Sequence, residues 1–365
     1  MEPVTVGVEE EFLLTDPRTG APVPKNTAVA RTAKQSGVEL QLELTGCQVE
    51  ISTGVHTDTA ALLAELGSLR RAVAECAKRN DARLLAVAVP PSVPEEFPVT
   101  DTPRYQRIAD RFGMLAREQG LCGCHVHAGV PDRDTALRVS NQLRPWLPVF
   151  LALTANSSIY RGADTGYASW RSILWHRWPS AGPPPYFESV ADYDALVDLM
   201  VSGGSILDRK MVYWDVRPSE SYPTIEVRIS DVPATVTESA LLATLIRASV
   251  MTALADLDEG RRAPAVRAEV LRAAYWNAAR YGLDGAGLDP RTRHVISAHA
   301  LVNGLVEHVT PALEALGAQA FVRDAVATVL RTGNGAQRQR AVFREGGDIS
   351  RLTTELEHIT LEGCP

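Results

Sequence analysis

No run of roughly 18 consecutive apolar residues occurs in this chain of 365 residues, so no plain transmembrane segment is visible. The start, Met1-Glu2-Pro3-Val4, lacks the basic stretch and apolar run of a secretory signal. A cytoplasmic protein without a membrane partner is therefore expected. An excess of basic charge is missing too. With 44 acidic against 37 basic residues the formal net charge is -7, a poor basis for neutralising phosphates, so no nucleic-acid partner is expected. Cysteine is scarce and odd in number: the five residues Cys47, Cys76, Cys122, Cys124 and Cys364 read as free thiols rather than a disulfide framework. Gly (26) and Pro (23) stay near average usage, which excludes collagen-like and low-complexity chains. Internal repeats and long linkers are also lacking.

What remains, 45% hydrophobic and 22% charged, is an ordinary globular composition. Most soluble assemblies are symmetric homomers, so a homo-oligomer is compatible with it. Alternation marks the first 56 residues as strands. Thr5, Gly7, Glu9 and Glu11 share one face of the first, with Val6, Val8 and Phe12 on the other. Val38, Leu40, Leu42 and Leu44 alternate with Glu39, Gln41 and Glu43. After Thr45-Gly46 the pattern resumes, with Cys47, Val49 and Ile51 opposite Gln48, Glu50 and Ser52, a hairpin or bulged pair. Leu62, Leu66, Leu69, Val73 and Cys76 then form the stripe of an amphipathic helix over Thr57 to Asn80.

Further strands are expected at 84–89, 121–130, 211–216 and 224–230, and a helical stretch from Asp132 or Asp134 that Pro145 and Pro148 interrupt. Residues 156–187 read as irregular. Thr235-x-x-Glu238 is a capping-box signature opening a helical tail, with helices around 265–281, 290–315, 317–331 and 349–359. Strands early and helices late describe one α+β domain over 1–365, strand-rich in 1–235 and helical in 236–365, with helices on one side of a largely antiparallel sheet.

Three strands carry polar residues two apart, hence on one face: Glu9 and Glu11, His125 and His127, Glu226 and Arg228. Glu43 and Glu50 lie on the polar face of the hairpin. Where such faces meet, carboxylates cannot all stay ionised without compensation, and a divalent cation supplies it most simply. Carboxylate oxygens with one imidazole favour Mg²⁺ or Mn²⁺, metals that accompany nucleotide phosphates in phosphoryl transfer. Cys122 and Cys124 point away from His125 and His127, so the run cannot close one zinc site, and His127 reads as structural rather than as a ligand. Gly333-Asn-Gly ahead of Arg338 and Arg340 is a turn that can approach phosphate, although it is no Walker loop. Arg161, Arg171 and Arg177 sit in an aromatic-rich segment, a second candidate binding loop.

Gly7-Val-Glu-Glu-Glu-Phe, Gly123-Cys-His-Val-His-Ala-Gly, Asp164-Thr-Gly-Tyr-Ala-Ser-Trp-Arg-Ser, Arg177-Trp-Pro-Ser-Ala-Gly-Pro-Pro, Thr224-Ile-Glu-Val-Arg-Ile-Ser-Asp and Gly333-Asn-Gly-Ala-Gln-Arg-Gln-Arg, in that order, resemble the glutamate–cysteine ligase type 2 family, the carboxylate–amine ligases. The resemblance implies a glutamine-synthetase-like fold, a curved antiparallel sheet forming a funnel for ATP, metal and amino acid. It implies small-molecule substrates. A carboxylate, typically the γ-carboxylate of L-glutamate, would take the γ-phosphoryl of ATP, and an amine (cysteine or another) would attack the acyl phosphate.

By motif match the metal ligands would be Glu9, Glu11, Glu43, Glu50, His125 and Glu226. Glu11, Glu226 and Arg228 would serve the chemistry, with Arg228 neutralising the transferring phosphoryl group. Arg171, Arg338 and Arg340 would meet the nucleotide. Asn156-Ser-Ser-Ile-Tyr-Arg replaces the Ser-Pro-Phe-Trp/Tyr stretch of family members, beside the substrate loop. Two other readings stay open: a metal-dependent amide hydrolase, and a non-catalytic relative that binds nucleotide or amino acid.

Overall fold

The computed structural model describes residues 4–365. Seven strands build the main sheet: β1 (Val6–Thr15), β2 (Gln41–Leu42), β3 (Gln48–Ser52), β4 (Arg83–Leu85), β5 (Gly123–Gly129), β6 (Val216–Pro218) and β7 (Thr224–Asp231). Their order is β2-β3-β1-β5-β7-β6, with β4 also on β1, and every pairing is antiparallel. The expected α+β class, with helices against an antiparallel sheet, is borne out.

One face of the sheet is apolar because alternate residues of β1, β5 and β7 are. Val6, Val8, Val126, Ala128, Ile225 and Val227 pack there against the helix Val236–Asp258 and the helices beyond it. That helix has a mean hydropathy of 1.6 over its most apolar 18 residues, enough by composition to cross a membrane, but 67% of that window is buried inside this core. A second cluster, including Phe12, Leu14, Val49, Ile51 and Leu85, lies under the helices Asn26–Gln35, Thr59–Arg79 and Ile349–Thr360. Cys122 and Cys124 are core, as expected, and all five cysteines are free.

Several local readings change. Of the strand expected over 38–44, Gln41–Leu42 alone pairs, and residues 26–35 form a helix within the supposed strand region. The strand placed at 211–216 starts at Val216, after a short 3-10 turn at Arg209–Met211. Residues 286–297 make a small hairpin before the helix Ala298–Ala315, so that helix begins later than 290. The Gly333-Asn-Gly turn opens a real helix, Gly335–Arg344, through a capping box in which Asn334 and Gln337 satisfy each other's backbone N–H groups.

Candidate active site

The polar face of the sheet carries the site. Register sets it: Glu9 lies opposite His125, Glu11 opposite Glu50, and His127 opposite Glu226. Between Cys124–Ser230 and Val126–Val227 the register shifts, leaving His125 opposite two residues of β7, Arg228 and Ile229. That bulge re-aims a side chain where the chemistry needs it. Arg228 thereby reaches both His125 (Nη1 to Nδ1, 3.3 Å) and the carboxylate of Glu226.

Two triads result. Glu9, His125 and Glu226 present ligand atoms within 4.8 Å of one another, and so do Glu11, Glu50 and His125. His125 Nδ1 is 3.2 Å from Glu9 Oε2, and its Nε2 is 3.8 Å from Glu11 Oε1. Glu11 is held from behind by the Gly123 N–H, which donates to Oε2 at 2.6 Å. Glu43 follows β2 and lines the same cavity of about 310 Å³, but it belongs to neither triad. His127 sits at the rim, with Nδ1 2.9 Å from Thr224 Oγ1 and Nε2 3.5 Å from Glu9.

The electrostatics divide the carboxylates. Burial would raise Glu9, but hydrogen bonds from His125 and His127 hold it far below the usual carboxylate range. Burial likewise opposes ionisation of Glu226, and the guanidinium groups of Arg228 and Arg217 overcome it. On the other side, burial and then the Glu11 charge push Glu43 up to about 8. Burial and the Glu43 charge carry Glu50 well above normal. Burial and Arg228 push the imidazole of His125 towards its neutral, ligating form. Protons on Glu43 and Glu50 stand where positive charge is short. A hard divalent cation fits this donor set of clustered carboxylate oxygens and one neutral imidazole, with no sulfur.

Of the remaining expected residues, Arg171 lines the cavity on the short helix Trp170–Trp175 and is 3% exposed. Arg338 and Arg340 lie outside it. Arg338 donates to Glu238 at 2.5 Å, and Arg340 donates to Asp164 at 3.1 Å. Arg217 was missed. It pairs in register with Glu226 and donates to it at 2.8 Å, a role hidden while the strand was placed too early. Arg104 and Tyr105, in the first turn of the helix Pro103–Phe112, Lys210 in the 3-10 turn Arg209–Met211, and Tyr213 just after it also line the cavity.

Comparison with known proteins identifies the family. The model of the glutamate-cysteine ligase family 2 matches residues 5–355. A Nocardia farcinica protein named "Putative glutamate--cysteine ligase 2-1" is 65% identical over 364 residues, covering 100% of this chain and 95% of its own. A counterpart from Mycobacterium sp. strain KMS, numbered 2-2, is 57% identical over 358 residues, 98% of each chain. Among solved structures, the Francisella tularensis glutamate–cysteine ligase in complex with AMP superposes with a TM-score of 0.71 at 14% identity, over 98% of this chain and 88% of that one. A bifunctional glutathione synthetase from Pasteurella multocida gives 0.71 at 15% identity, over 98% of this chain and 52% of its own. These two likenesses establish a common fold. With the family model matching nearly the whole chain and a relative 65% identical along all of it, the chain belongs to glutamate–cysteine ligase family 2.

Proposed function

We propose that the protein is an ATP-dependent carboxylate–amine ligase that activates the γ-carboxylate of L-glutamate, or of a similar acid, for attack by an amine. The observation that carries this reading is the pair of triads sharing His125 on one pleated face, flanked by the buried guanidinium groups of Arg228 and Arg171. A donor carboxylate oxygen attacks the γ-phosphorus of ATP and ADP leaves. The amine nitrogen then attacks the acyl carbon, phosphate leaves, and the nitrogen loses a proton. Glu9, Glu11, Glu50, His125 and Glu226 would hold Mg²⁺ or Mn²⁺, with Glu43 beside them. When bound, such an ion would offset the negative charge of the nucleotide phosphates.

The chain's own residues supply charge and position. Arg228 sits between Glu226 and His125, fixed by the bulge, so its orientation is set before substrate arrives. Glu226 takes a second guanidinium from Arg217, and this fork keeps the carboxylate ionised at neutral pH. Tyr105 donates its hydroxyl to the Leu42 carbonyl at 2.7 Å, tying the wall beside Glu43 to β2. Arg338 and Arg340 remain candidates for nucleotide contact only if Glu238 and Asp164 release them.

The test sidesteps the unknown amine. Protein, Mg-ATP, L-glutamate and hydroxylamine are incubated, and glutamyl hydroxamate and ADP are measured by mass spectrometry. Product that requires all three additions supports the reading. Intact ATP with glutamate and with a panel of other carboxylic acids would overturn it. Amide hydrolysis without nucleotide would favour a hydrolase instead.

A further inference from the structure

Arg171 is buried in the cavity wall, and its position is the work of a residue outside the cavity. Asp231, the last residue of β7, is fully buried, and its carboxylate takes three hydrogen bonds from the segment that leads into the Arg171 helix. Oδ2 accepts the Asn156 N–H at 2.8 Å and the Ser157 hydroxyl at 2.6 Å, and Oδ1 accepts the Ser169 hydroxyl at 2.9 Å. Both serines pass the contact on. Ser157 Oγ accepts the backbone N–H of Arg171 at 3.0 Å, and Ser169 Oγ caps the helix by accepting the Ser172 N–H at 3.2 Å. Asp231 Oδ1 also faces Arg171 Nη1 across 3.9 Å, a charge pair without a direct hydrogen bond.

The far end of Arg171 is confined as tightly. Nη1 donates to the Ile229 carbonyl at 3.3 Å, and the guanidinium lies against the ring of Trp175. It also packs close to Gly123, where a Cβ would stand 2.3 Å from Nη2. Gly123 is the residue whose N–H holds Glu11. Among the described residues Arg171 Nε has no hydrogen-bond partner, so the guanidinium is not saturated by the protein. A buried cation facing one anion and packed against the glycine whose N–H fixes Glu11 is suited to meet negative charge on a ligand.

We propose that Asp231 is a positioning residue that acts through Arg171: with Ser157 and Ser169 it sets the helix start and holds the guanidinium against Gly123, ready for the anionic oxygens of the reacting groups. This deepens the ligase reading and rests on it for its catalytic part. The same network gives the Asn156-Ser-Ser stretch its place. Ser157 serves Asp231 through its hydroxyl and Asn156 through its backbone N–H, while the Asn156 side chain donates to the Ala86 and Val232 carbonyls and accepts from Gln339 at 2.8 Å.

A double-mutant cycle tests the proposal. Asp231→Asn keeps the size but turns one acceptor into a donor facing N–H and O–H groups, and Ser157→Ala is the milder variant should the first fail to fold. Each is compared alone and combined with Arg171→Lys in the hydroxamate assay. Misplacing a fixed catalytic group by about 1 Å costs up to about 100-fold, so Asp231→Asn should lower turnover by about 10–100-fold. In the Arg171→Lys background it should lower it little further. Multiplicative effects, or wild-type turnover in both Asp231→Asn and Ser157→Ala, would overturn the proposal. A second readout does not need activity. The Arg171 Nε–H signal in ¹⁵N NMR, identified by its loss in Arg171→Lys, should be slowly exchanging in the wild type and shift or broaden in Asp231→Asn and Ser157→Ala. A wild type that makes no hydroxamate from any acid would sink the ligase reading and the catalytic part together. An unmoved signal in both variants would sink the positioning itself, whatever the activity.

Discussion

Replacing Arg70 by Met should cost the protein a large part of its stability. Arg70 lies on the helix Thr59–Arg79, fully buried behind β1, and meets Glu10 through two parallel bonds, Nε to Oε2 at 2.9 Å and Nη2 to Oε1 at 2.6 Å. The guanidinium also donates to the carbonyls of Ala234 (3.2 Å), Thr360 (3.1 Å) and Pro233 (3.0 Å), and to Ser239 Oγ at 3.0 Å. Methionine fills much of the space but leaves Glu10 a buried carboxylate whose remaining partner is the Ser239 hydroxyl at 2.5 Å. Removing one member of such a pair costs about 3–5 kcal/mol, and buried carbonyls left without donors add to it. Against a typical net stability of about 5–15 kcal/mol that is about a fifth or more. Urea unfolding followed by circular dichroism should show the midpoint falling with an unchanged slope. Adding Glu10→Leu should recover part of the loss, because the orphaned charge then disappears. A loss below about 1 kcal/mol, the worth of an exposed pair, would refute this account of Arg70.

The other expectations concern the site. Glu9→Gln, Glu50→Gln and Glu226→Gln should each abolish ADP release while the circular dichroism spectrum stays native, and full activity in any two would remove the metal assignment. Gly123→Ala brings a methyl to 2.3 Å from Arg171 Nη2, so hydroxamate turnover should fall about tenfold or more, whereas unchanged turnover would show that Arg171 has room to move. The metal-free protein should lose stability as pH rises from about 4.5 towards 8. Glu43 carries a raised pKa of about 8 when folded, so the folded state binds more protons than the unfolded one across that window, and differential scanning fluorimetry should show the fall. Mg²⁺ or Mn²⁺ binding near neutral pH should then release protons, seen as buffer-dependent heats in titration calorimetry, and buffer-independent heats would contradict the assignment.

How far the sequence reached depended on whether the signal was local. Alternation in β1, β5 and β7 was enough to place Glu9, Glu11, His125 and Glu226 on one face, because strand geometry sends every second side chain the same way. Apolar stripes located the helices Thr59–Arg79 and Val236–Asp258, and the spacing of Cys122 and Cys124 put both thiols in the core. The α+β class followed from strands early and helices late, and the family from the resemblance of six ordered motifs.

Tertiary structure decided what those motifs meet. Strand order put β1 between β3 and β5, and so made Glu50 the neighbour of Glu11. A one-residue bulge, invisible in the sequence, turned Arg228 onto His125. Glu10 stood as the lone charge on an apolar strand face, and Arg70 as a charge within a helix stripe. Only packing makes them partners. Arg338 and Arg340 were drawn by local composition towards phosphate, yet Glu238 and Asp164, about 100 and 176 residues away in sequence, hold them outside the cavity. Periodicity records which way a side chain points along its own element. The identity of the facing group depends on chain crossings over long separations, and those exist only once the sheet has closed.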